Sequence, residues 1–248
     1  MTFNPGRDKI NPYRAGADFS KGDCEMTRTK LKDRVLPNYS RKEELINSIS
    51  HIIGGAFGFF TLISCVIISV KHNNNLAVFS SIVYGLSMIF LFTMSSVYHG
   101  LPVSIAKKVF QIIDHCAVYI LTAGTYTPIL LCAVRNYNPL KSYIMFAVVW
   151  GLTAVCIVFN SIDLKKYRVF SMICNIGIGW FIIIELRPLY IHCGAAPVFL
   201  LLAGGLCYTV GAILYGLGIK KKYFHSIFHF FVLAGSILHY LTIALYII

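Results

Sequence analysis

The sequence predicts an all-α fold, a polytopic membrane protein built as a seven-transmembrane helix bundle. Three observations point to it. Of the 248 residues, 57% are hydrophobic and 14% aromatic, with a mean hydropathy of +0.70, too apolar for a domain whose surface must meet water. Apolar runs long enough to cross roughly 30 Å of hydrocarbon as a helix occur seven times, separated by short polar breaks. Charge is gathered at the start: residues 1–44 hold ten of the 22 Lys/Arg and seven of the ten Asp/Glu. The chain therefore divides into a polar arm, residues 1–43, and a membrane domain, residues 44–248.

The runs cover residues 50–70, 76–99, 109–134, 142–160, 169–186, 195–219 and 224–248. His51 opens the first, where Gly54 and Gly58, four apart, let a neighbouring backbone approach closely. The second ends on His99. The third carries Asp114 and, after Gly124-Thr125-Tyr126-Thr127, Pro128, which removes a backbone donor and is expected to kink it. Glu185, Arg187 and Pro188 are expected to cut the fifth run short. Ala212 and Gly216 offer the sixth a second small-residue contact, and the seventh begins with His225 and His229. Breaks this short make adjacent helices antiparallel neighbours.

Basic loops tend to remain in the cytoplasm. The side shared by the arm and the even-numbered loops holds the ten arm charges plus Lys107, Lys108, Lys165, Lys166, Arg168, Lys220, Lys221 and Lys222. The other side holds Lys71, Arg135, Lys141 and Arg187. The expected placement is the cell membrane, with the N-terminus cytoplasmic and the C-terminus external. The start Met-Thr-Phe-Asn-Pro-Gly lacks an apolar core before a small-residue cleavage site, so insertion is expected to use the first helix. A net charge of +12 dispersed over loops and an acid-containing arm fits anionic membrane lipids rather than nucleic acid. The eight cysteines lie mostly in apolar runs, without a Cys-x-x-Cys pair, and read as reduced, space-filling thiols.

Ionisable side chains inside a bilayer cost several kcal/mol and usually serve a site. His51, His99, Asp114, His225 and His229 all fall toward the same end of their helices. At a rise of about 1.5 Å per residue, Asp114 and His229 lie at comparable depth. His225 and His229 share a helix face, as do Ser95 and His99. Three imidazoles with an open fourth position suit catalytic zinc. Asp114 is then placed to hold a water at the ion or take its proton, and Ser95 to hydrogen-bond beside it. The plainer readings are a structural hydrogen bond for Asp114 and a bond to its own helix backbone for Ser95. His239, about 15 Å deeper than His229, reads as a hydrogen-bonded core histidine. His115 receives no role, and His72 and His192 read as solvated loop residues.

Ser95-x-x-x-His99, Asp114-His115 leading to Gly124-Thr125-Tyr126-Thr127-Pro128, and Phe224-His225-Ser226-Ile227-Phe228-His229 through Gly235-Ser236-Ile237-Leu238-His239 together resemble the hemolysin III family. So does Glu44-x-x-Asn47-x-x-Ser50-His51-x-x-Gly54. That family is related to the progestin and adipoQ receptors and more distantly to alkaline ceramidases. The resemblance implies a seven-helix bundle with zinc held by His99, His225 and His229, Asp114 contacting it through a water, and Ser95 alongside. Two functions from different classes follow: a zinc-dependent hydrolase of lipid amides, with Asp114 as general base, or a non-enzymatic cytolytic or receptor-like protein in which zinc is structural.

Overall fold

The computed structural model describes residues 29–218 and 221–248. Residues 1–28 of the arm, with Cys24, and Ile219 and Lys220 at the break before the last helix lie outside the described residues. Among the described residues, seven helices long and apolar enough to cross a membrane follow one another: α1 Arg41–Lys71, α2 Asn75–Gly100, α3 Ile105–Tyr137, α4 Pro139–Ile162, α5 Arg168–Cys193, α6 Ala195–Leu217 and α7 Phe224–Tyr246. The all-α seven-helix fold expected from the sequence is thus present.

Polar residues at the ends set where helices begin. Asn74, Ser104 and Asn138 cap α2, α3 and α4 by accepting from Ala77, Lys107 and Lys141 N–H. α1 starts nine residues before the apolar run. Ser40 and Glu43 form a reciprocal capping box that nucleates a helical turn in polar sequence. This extension carries Glu43, Glu44 and Asn47 into the bundle.

α3 is the central helix, with 83% of its apolar window buried, against 17% to 50% for the other six. Successive helices pack on one another, and α7 returns to α1, which brings the start of α7 beside the start of α1. With hydrocarbon outside, close backbone packing rather than apolar burial favours assembly. A Cβ at Gly54 would stand 2.4 Å from the Phe92 ring, so α1 and α2 touch there as expected. The expected Ala212/Gly216 contact does not form, because Gly216 faces nothing nearer than Met172 Sδ at 4.0 Å. On α6 the close approach is made instead by Gly204, where a Cβ would meet the His239 ring at 2.3 Å.

Two helices depart from regular geometry in the half away from the arm. Pro128 neither breaks nor ends α3. The helix widens into a π segment, Ile129–Val134, and continues to Tyr137. Ser142 Oγ on α4 donates to the Leu130 carbonyl at 2.7 Å, satisfying backbone in the widened turn. α5 runs past the expected stop, tightening to 3-10 geometry over Phe181–Glu185 and resuming as Leu186–Cys193. Charge fails to end it because Glu185, fully buried, pairs with Lys141 and accepts from the Tyr137 hydroxyl at 2.9 Å. Pro188 falls in the first turn of the resumed segment, where a missing N–H costs little. His192 is consequently helical, exposed, and stacked on the Tyr137 ring at 4.4 Å. The described cysteines are free thiols, as expected.

The basic loops gather at the arm end. Lys107 contacts Glu44, the 163–167 turn contacts Thr29, and Tyr223 contacts Glu43. Residues 29–40 lie across this end as a strap. Thr29 donates through N–H and Oγ to Asp163 Oδ2 at 3.2 and 2.5 Å. Arg34 donates to the Ser161 and Ile162 carbonyls at the end of α4, at 3.3 and 3.0 Å. Asp163 is buried, which raises its pKa, but the bonds from Thr29, Lys166 and Lys165 overcome this and hold it at about 2.

Candidate metal centre

His99 ends α2, while His225 and His229 occupy the first two turns of α7 and face inward together because they are four apart. The structure brings the three together. One ring nitrogen from each lies within 4.8 Å of the others, and all three residues are buried. His225 Nε2 stands 3.3 Å from His99 Nε2 and 3.0 Å from His229 Nε2. Nitrogens at tetrahedral corners about 2.0–2.1 Å from an ion sit roughly 3.3 Å apart, so the spacing fits a zinc-sized cation. The donor set therefore suits a divalent metal.

Aromatic rings enclose the cluster. His51 stacks on His229 with centroids 3.8 Å apart, and its two ring nitrogens are buried without hydrogen-bond partners. Tyr39, from the strap, stacks on His225 at 4.8 Å and lies 5.8 Å from His99. Its phenol is held well above its ordinary pKa, first by burial and then by Tyr215, Glu44 and Asp114 nearby, so it remains a neutral cover.

Asp114 and Ser95 stand differently toward the cluster. Asp114, 9% exposed, lies outside the trio that can hold a metal, and its Oδ2 stands 3.6 Å from His115 Nδ1. The Tyr98 and Tyr215 rings border His99 and His225, with centroids 4.5 and 5.7 Å apart. Ser95 Oγ is buried and makes no hydrogen bond, not even to its own helix. His239 Nε2 donates to the Leu201 carbonyl at 3.2 Å, in keeping with a core histidine. His115, given no role by the sequence, donates from Nδ1 to Gln111 O at 2.7 Å and accepts at Nε2 from Tyr215 at 3.0 Å. His72 is exposed.

Sequence reasoning passed over Glu44, Lys107 and Tyr39. Glu44 Oε2 lies 2.6 Å from His99 Nδ1, and its Oε1 lies 2.9 Å from Lys107 Nζ. Lys107 also donates to the Leu101 carbonyl at 2.8 Å, tying down the end of α2. For Glu44 a signal existed in the spacing Glu44-x-x-Asn47-x-x-Ser50-His51. Lys107 and Tyr39 carried none, since a loop lysine and an arm tyrosine read as solvated.

Comparison with known proteins places this arrangement. Residues 39–240 match the family described as Haemolysin-III related. Hemolysin-3 of Bacillus cereus is 38% identical over 207 residues, covering 84% of this chain and 93% of that one. The Hemolysin-3 homolog of Bacillus subtilis is 34% identical over 211 residues, 84% of this chain and 96% of that one. Monocyte to macrophage differentiation factor of Homo sapiens is more distant, 25% identical over 172 residues, 66% of this chain and 69% of that one. No solved structure matches the chain significantly.

Proposed function

Because the chain belongs to the Haemolysin-III related family, we propose on that premise that it is a multi-pass membrane protein holding zinc through His99, His225 and His229 and hydrolysing an amide bond in a membrane lipid. The observation that carries this reading is the convergence of three buried imidazoles with, among the described residues, no fourth protein ligand in the group. A structural zinc site ordinarily fills four positions with protein atoms, whereas a catalytic one leaves a position open. When bound, zinc supplies a Lewis acid that lowers the pKa of water toward 7 and polarises a carbonyl.

The chain's own residues supply the rest. The histidines bind through Nε2. The Asp114 carboxylate takes the proton of the attacking water and returns it to the leaving amine. Ser95 Oγ, buried and without a partner, donates to the lipid's carbonyl oxygen. Tyr39 excludes bulk water. The Lys/Arg distribution supports a cytoplasmic arm end and an external C-terminus, and with that orientation the substrate approaches from the inner leaflet.

A second reading is favoured by one observation: the histidines are deeply buried and Tyr39 covers them. In it the protein is non-enzymatic, cytolytic like the hemolysin its relative is named for, or receptor-like, and zinc is structural. The two separate on Asp114→Asn. The hydrolase reading expects a folded variant that keeps its metal and loses at least 100-fold in turnover of lipid amides. Wild-type turnover of zero across an N-acyl lipid panel, or full turnover in the variant, contradicts it.

A further inference from the structure

Glu43 and Glu44 are neighbours on the first turn of α1, and successive helical residues point about 100° apart. Glu43 turns to α7, where Oε1 accepts from the Tyr223 N–H at 2.7 Å. Glu44 turns the other way, into the gap between the end of α2 and the start of α3. There its two oxygens have different partners, His99 Nδ1 at 2.6 Å and Lys107 Nζ at 2.9 Å.

His99 faces the cluster through Nε2, 3.3 Å from His225 Nε2. A neutral imidazole carries one proton, so the Nε2 lone pair is available to a cation only when the proton sits on Nδ1. A buried Nδ1–H needs an acceptor, and the Glu44 carboxylate is at hydrogen-bonding distance. His225 has no such support, since its Nδ1 is buried without a partner. The Lys107 side chain, only 4% exposed, balances the carboxylate and is itself satisfied by Glu44 and the Leu101 carbonyl. The pair thus joins α1, the last turn of α2 and the first turn of α3 around one ring.

We propose that Glu44 is a positioning residue that fixes the tautomer and aim of His99, with Lys107 neutralising the carboxylate. This rests on the reading of the histidine cluster as a metal site. Such acceptors behind a metal-bound histidine raise its basicity, and their loss typically costs roughly 10- to 100-fold in metal affinity. Glu44→Gln retains an amide oxygen that can accept from Nδ1–H, so it preserves part of the effect. Lys107→Met breaks the ion pair but leaves the Glu44–His99 bond in place.

The test is a zinc titration against a competing chelator, using full-length protein in detergent, stripped of metal, with thermal melting of each apo sample. The expected order of zinc Kd is wild type tightest, then Glu44→Gln, then Glu44→Ala weakened about 10- to 100-fold. Lys107→Met is expected to lower the melting temperature without matching that loss. Glu44→Ala binding zinc as tightly as wild type overturns the proposal and leaves the metal site standing, as does a Lys107→Met loss equal to that of Glu44→Ala. If Glu44→Ala does not fold, a Glu44→Gln Kd weakened several-fold supports the proposal and an unchanged one overturns it. A wild type that takes up no zinc removes the metal reading first, and the proposal with it.

Discussion

The two ends of the bundle each set a carboxylate beside a lysine, Glu185 fully buried and Glu44 partly so, yet they leave their surroundings in different states. At the far end, Glu185 is closed off by Lys141 and Tyr137, with His192 stacked over Tyr137. At the arm end, Glu44 and Lys107 satisfy each other, but the layer beyond them holds buried polar atoms without partners: Ser95 Oγ, both His51 nitrogens and His225 Nδ1. Elsewhere such atoms are scattered singly, as at the Thr61, Tyr84 and Thr153 hydroxyls and His239 Nδ1. A buried polar group left unpaired costs on the order of 1–3 kcal/mol, and here several are concentrated beside converging imidazoles. The difference separates a polar cluster closed by its own partners from one whose donor set could hold a metal.

That contrast breaks most sharply at the histidines. With free zinc at 100 times Kd, the ion is expected to stabilise the wild type by about 2.7 kcal/mol, read as a rise in melting temperature that a chelator reverses. His99→Ala and His229→Ala are expected to abolish the rise, whereas His239→Ala keeps it. A zinc-dependent rise that survives in His99→Ala or His229→Ala contradicts the cluster as drawn.

At the far end the opposite pattern is expected. Glu185→Ala orphans the Tyr137 hydroxyl and strands Lys141, whose partial exposure limits the cost, for a loss of about 1–3 kcal/mol in thermal stability with zinc affinity unchanged. A change in zinc affinity would show that the two ends are coupled.

The smallest effect belongs to the strap. Asp163→Ala removes both Thr29 bonds, an expected loss of about 1–2 kcal/mol seen as faster tryptic cleavage at Lys30 and Lys32. Because the folded Asp163 pKa of about 2 lies below its ordinary 3.8, its stabilising contribution is fully present above the higher value and fades as pH falls through the lower. Wild-type cleavage is therefore expected to owe nothing to Asp163 titration between pH 5 and 8. A Thr29 anchor lost on going from pH 8 to pH 5 would count against this contact.

Much of this was legible in the sequence. Seven apolar runs gave seven helices, and the histidine trio followed from helical spacing and shared depth, because a bilayer makes polar residues conspicuous. The failures have physical causes. α1 began early because a capping box at Ser40 and Glu43 extends a helix into polar sequence, beyond the reach of a hydropathy scan. α5 ran on through Glu185 because its partners, Tyr137 and Lys141, lie more than forty positions away in the chain. Lys107 escaped notice for the same reason, and Glu44, though part of a recognisable motif, showed no role until tertiary contact set it beside His99.

The claim that the arm end is a metal centre is tested most directly by elemental analysis of the purified protein beside a variant lacking all three imidazoles, His99→Ala, His225→Ala and His229→Ala. The expected result is one zinc per wild-type chain and none above background in a triple variant that still folds. Wild type without stoichiometric metal after growth and dialysis in zinc, or a folded triple variant that retains it, contradicts the account.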